Sequence, residues 1–253
     1  MREARGSKPP LVMKARDCNA LQRKSRQLDS LPTMGTNHDT LRTELAATAA
    51  RLIAEEGCDY RQAKRRALQE VVGSGADGRG VLPDNAEIEY ELRRHLSLFA
   101  ADTHPALLAG LRRTAAFVME QLDAFRPYLV GAVLNGTATE HSDIELHLFT
   151  DSAKDVEVAL MDAGIDFEAE AGDANRRPAA QECLAFIVAG RQDGLPASMN
   201  GIGVRLHVFD HGAIRVAPRH RAASTAEFEL HPVAAGGRAD LTALRRLIAE
   251  SAP

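Results

Sequence analysis

Residues 129 to 148, LVGAVLNGTATEHSDIELHL, decide how this chain is read, because they join two apolar strand patterns through a turn bounded by Gly131 and Gly136. In the second pattern, alternation sends Asp143, Glu145 and His147 to one face and Ile144, Leu146 and Leu148 to the other. The apolar set fixes the register by demanding burial, so the acids are presented together. Carboxylates two residues apart on a strand stand roughly 7 Å apart, a spacing that suits hard oxygen ligands sharing divalent ions over substrate phosphates. The lack of a Cβ at Gly131 and Gly136 lets backbone amides approach an anion. Acids at alternate positions also mark the ordinary solvated face of a half-buried strand, and a motif this short has a substantial false-positive rate.

With Gly131, Ala132, Gly136, Ser142, Asp143, Ile144, Glu145 and Leu146 in their places, the stretch resembles the signature of the nucleotidyltransferase superfamily, the DNA polymerase β-like fold. The resemblance covers the motif and the α/β pattern from about Thr103 onward. It implies a metal-dependent nucleotidyltransferase that moves a nucleoside monophosphate from an NTP to an acceptor. Asp143 and Glu145 would hold two Mg²⁺ ions, and Gly131, Ala132, Asn135, Gly136, Thr137 and Ser142 would cradle the nucleotide's phosphates. Two departures accompany it. Ala132 stands where the family carries a serine, and the third family carboxylate has no plain counterpart. In the later strand pattern GVRLHVFD, ending at Asp210, the corresponding place is held by His207, and Asp210 reaches it only through a bulge. The acids Asp166, Glu168 and Glu170 would substitute if their strand neighboured Asp143. Arg205 either neutralises a triphosphate or takes the metal's place. The same departures define the alternative, a catalytically degenerate member acting in nucleotide sensing or partner binding.

Around this centre the pattern predicts an α+β protein: an N-terminal helical unit, then a nucleotidyltransferase-like mixed sheet with flanking helices. Residues 1 to 38 hold eight Lys/Arg against three acids with no sustained periodicity, which reads as a disordered basic tail. Met34 is a candidate natural start. Residues 39–102 read as a helical accessory unit, with helices over 41–56, 60–72 and 85–100. Asp59 with Gln62 and Asp84 with Glu87 form capping-box patterns, and glycines from Gly73 onward mark a linker. Residues 103–253 read as the α/β domain, opened by a helix from Thr103 to about Phe125. Strands follow near 128–134, 143–150, 165–170, 182–189 and 202–209, with helices near 153–163 and 241–250.

The net charge of -4 speaks against a broadly basic surface, so a nucleic-acid role would rest on local patches such as Arg61, Lys64 and Arg65. Cys18, Cys58 and Cys183 are scattered without metal-ligand or disulfide spacing. No apolar run is long enough to span a bilayer, and the expected location is cytoplasmic. A protein partner would dock on the helical unit. P-loop, dinucleotide-binding, HExxH and GxSxG motifs do not occur.

Overall fold

A computed structural model describes residues 33–74, 80–171, 178–189, 195–196, 199–217 and 228–251. Of the basic tail read over residues 1 to 38, the part through residue 32, with Cys18, lies outside the described residues, as does the middle of the glycine linker, whereas residues 33–38 are helical rather than disordered. The chain divides into two compact units, 1–41 and 42–253. The described part of the first is the opening of a helix, and the architecture below is that of the second.

Among the described residues, eight α-helices and a five-stranded mixed sheet make up the fold. Helices α1 (Thr33–Glu56), α2 (Tyr60–Val71), α3 (Asn85–Phe99) and α4 (His104–Gln121) precede the first strand. From Leu45 to Ile53, α1 buries its apolar stripe together with Ala63 and Ala67 of α2 and Ile88, Leu92 and Leu96 of α3. Ion pairs tie the helices at their rims: Arg42 to Glu87 at 2.6 Å and Arg51 to Glu70 at 2.8 Å. The cap of α3 is reciprocal. The Asp84 carboxylate accepts from the Glu87 N–H at 2.9 Å, and the Glu87 carboxylate accepts from the Asp84 N–H at 2.6 Å.

The sheet runs β1 (Tyr128–Val130), β2 (Ile144–Phe149), β5 (Gly201–Phe209), β4 (Glu182–Ala189), β3 (Glu168–Ala171) in spatial order. Pairing is antiparallel except between β2 and β5. A short helix, α5 (Gly131–Asn135), follows β1 directly, and Gly136 ends it at φ +84°. The sequence pattern predicts a strand through residue 134; the chain instead turns at Gly131, whose φ of +71° a side-chain-bearing residue adopts only with strain. Helix α6 (Ala153–Asp162) links β2 to β3, and α7 (Pro232–Ala235) and α8 (Leu241–Glu250) close the chain.

One sheet face supplies the core. Ile144, Leu146 and Leu148 of β2 and Ile202, Val204, Leu206 and Val208 of β5 pack with Leu111, Ala115 and Met119 of α4, Val156 and Leu160 of α6, and Leu244 and Leu247 of α8. Burying each Val, Leu, Ile or Met side chain of this set stabilises the fold by roughly 1.5–3 kcal/mol. No described helix is long and apolar enough to cross a membrane.

Candidate functional site

The opposite sheet face carries the polar set. Because β2 and β5 pair Glu145 with Arg205 and His147 with His207, these four side chains share that face. The row through Glu145 continues across β5 to Ala185 of β4 and Glu168 of β3. The row through His147 continues through His207 to Cys183 and Glu170. Asp143, just before β2, lies over Gly203: a Cβ added there would sit 2.0 Å from Asp143 Oδ1. Glu145 lies over Gly131, where a Cβ would meet its Cδ at 3.2 Å. The two glycines therefore leave the room that the two carboxylates occupy.

Between the acids stands a cation. Arg205 Nη2 donates to Asp143 Oδ2 at 3.0 Å, with both side chains nearly half exposed. Partial burial opposes the charge on Arg205, but the hydrogen bond and charge of Asp143 outweigh it and hold the guanidinium above its ordinary range. His207 Nε2 lies 4.0 Å from Glu145 Oε2, and its ring packs edge-on to His147 at 5.7 Å between centroids. Beyond the histidines the face becomes aromatic. Phe149 and Phe209 stack at 5.7 Å, Tyr128 meets Phe149 edge-on, and Arg238 lies over the Tyr128 ring at 5.2 Å.

The other expected residues fall elsewhere. Phe149 pairs with Phe209, so Asp210 belongs to the far end of the strands from Asp143. There its carboxylate accepts from the Gly212 N–H at 2.9 Å, capping a short 3-10 turn, His211–Arg215. Glu168 and Glu170 share the polar face, but β5 and β4 separate their strand from β2. Strand spacing then sets them roughly 14 Å away, too far to join a metal held by Asp143. Asp166 precedes β3.

Within the turn, the polar groups bond to one another. Asn135 Oδ1 accepts from the Thr137 N–H at 3.1 Å and from its hydroxyl at 2.7 Å. Ser142 Oγ accepts from the Thr139 N–H at 2.9 Å. Thr137 is fully buried, Asn135 nearly so, and Ala132 packs against the core. Gly131 and Gly136 bracket α5, with no open glycine loop between them. The residues that the pattern assigns to a phosphate cradle bond to one another within this turn.

The helical segments reach this turn. A Cβ on Gly57 would lie 2.8 Å from His141 Cβ. Tyr60 is half-buried beside Thr137, Glu89, Arg93 and Glu145, and desolvation with the neighbouring carboxylates pushes its hydroxyl pKa upward. Tyr60 has no signature in the spacing, since it follows the cap Asp59 and precedes the basic run. Arg61 and Arg65 are exposed, while Arg66 pairs with Glu56 and Glu70, so acids outside the basic run offset part of its charge.

Arg112 also escaped the motif reading, although its place four residues after Leu108, beside Leu111 and Ala115, marks it as a charge on an apolar stripe. It is 7% exposed. Nε donates to Val133 O and Nη2 to Leu134 O, both at 3.1 Å, so the guanidinium closes the C-terminal end of α5. Comparison with protein-family models, with curated proteins and with solved structures finds no match to this chain.

Proposed function

We propose that this chain is a nucleotidyltransferase-like protein that recognises nucleotides without transferring them, Arg205 taking the place a metal ion would occupy. The hydrogen bond from Arg205 to Asp143 carries this reading. A guanidinium on the first carboxylate repels a divalent cation, and nearby donors do not compensate: His207 stands where a third carboxylate is required and Asp210 caps a distant turn. The residues therefore do not fit a two-metal site. Recognition follows from competition: an incoming triphosphate draws Arg205 from Asp143, because phosphate oxygens accept the same planar fork of donors. His147 and His207 supply further donors on the same face. A protein partner would read the bound state through the helices that meet the turn at Gly57 and Tyr60.

A second reading, Mg²⁺-dependent transfer of a nucleoside monophosphate from an NTP to an acceptor, is favoured by one observation: Asp143 and Glu145 share a face, nearly half exposed, beside a glycine-bounded turn. An exposed ion pair contributes about 0–1 kcal/mol, little to displace.

Calorimetric titration of each NTP with and without Mg²⁺, combined with a pyrophosphate-release assay, separates the readings. The first predicts binding without Mg²⁺, weakened at least tenfold in Arg205→Gln, and no pyrophosphate from the wild type. Pyrophosphate release that needs Mg²⁺ and vanishes in Asp143→Asn would establish the second.

A further inference from the structure

Strand β4 outruns its outer neighbour. Because β3 begins at Glu168, opposite Ala185, it pairs only with residues 182–185 of β4. Residues 186–189 have β5 on one side and, among the described residues, no strand on the other. Among the described residues, no backbone hydrogen bond joins these four to anything but β5. Successive strand residues direct their N–H and C=O groups to opposite sides, so alternate residues of this stretch hold theirs outward and unpaired.

Exposed strand edges are commonly blunted by charge. β3 and the chain just before it follow that rule with Asp166, Glu168 and Glu170, all exposed, whereas the open part of β4 reads FIVA and carries no charge. A groove of about 320 Å³ lies beside this edge, on the core side of the sheet. Phe117 and Val118 of α4, Leu160 of α6, Ala163, Ile165 and Phe186 line it. Phe117 and Ile187 each leave more than half of their surface exposed. The volume lies at the small end of the roughly 300–1,000 Å³ of ligand pockets, which suits apolar side chains better than a cofactor.

Unpaired backbone groups select another backbone as their complement. An added strand satisfies them, and its side chains then fall alternately on the two faces of the sheet. Those on the core side enter the groove. Those on the other side extend the line of Glu168 and Glu170, with Asp166 just before β3, so cations suit these positions. A second copy of this chain would bring the same acids to the edge. We propose that residues 186–189 bind an extended segment of a partner protein in which apolar residues alternate with Lys or Arg. Binding here needs neither Arg205 nor a nucleotide.

Fluorescence anisotropy of a capped, labelled peptide alternating Lys with Leu, Phe and Val, titrated with the full chain, tests it. Saturable binding is expected. N-methylation of every second peptide amide, in at least one of the two registers, should weaken it at least tenfold. Ala163→Trp, which fills the groove from an exposed position, should do the same. Asp166→Lys should weaken binding at least threefold, and a peptide with Glu in place of Lys should bind less tightly than the Lys form. No saturable binding, or binding that N-methylation in both registers and Ala163→Trp leave unchanged, overturns the proposal. A dimer of the free chain, seen by sedimentation and lost in Ala163→Trp, overturns it in favour of a second copy at this edge.

Discussion

Gly203 has no side chain where Asp143 needs room, and that absence sets the geometry of the Arg205 pair. In Gly203→Ala the new methyl would meet Asp143 Oδ1 at 2.0 Å, so the carboxylate must rotate away and release Arg205. The expected cost is about 1 kcal/mol, from an exposed ion pair and an altered rotamer. In an Arg205→Gln background the same substitution should cost measurably less, because Asp143 is already free. Denaturant unfolding of the four chains checks this, and an undiminished cost would mean that Asp143 is not held by Arg205. His104 gives a pH signature. Burial lowers its pKa below the ordinary 6.5; the Ala138 carbonyl opposes the shift and the charge of Arg112 adds to it. The unfolded chain then takes up a proton at higher pH than the folded one, so stability falls as pH drops below about 6.5, until the folded form is protonated too. His104→Gln should flatten this slope below about pH 6.5, as read from unfolding midpoints of both chains.

Elements with strong periodicity or explicit caps were legible in the sequence, and those set by a single backbone angle were not. The end of α3 nearest Asp84 agrees with its capping-box pattern because Asp84 and Glu87 satisfy each other's N–H groups. Asp84→Ala should destabilise the fold by roughly 1 kcal/mol, seen as a lower denaturation midpoint with an unchanged denaturant slope. Strands β4 and β5 were visible from their alternation and close within a residue of expectation. Helix α5 was hidden, since GAVLN is as apolar as the strand before it and only the positive φ of Gly131 marks the break. The candidate site divides the same way. Asp143, Glu145 and His147 share a face by strand period alone, whereas the arrival of Arg205 and His207 on it depends on parallel pairing between β2 and β5, which no local pattern encodes. Asn135, Thr137 and Ser142 look like phosphate ligands in the sequence because their types suit that role, while the short-range bonds that join them within the turn are not legible there.

At the scale of the molecule, β5 is the strand on which both halves of the sheet depend. It joins the β1–β2 hairpin on one side to the β4–β3 hairpin on the other, and it contributes to the polar face and the core alike. Its parallel partner β2 precedes it by a helix and two strands. That order has a consequence on the ribosome. About 60 residues separate Phe149 from its partner Phe209, so at roughly 5–20 residues per second the nascent hairpin waits some 3–12 seconds with an unpaired edge. During that interval Ile144, Leu146 and Leu148 lack the neighbour that completes their burial, and the newborn chain is exposed to aggregation and to chaperone capture until β5 emerges.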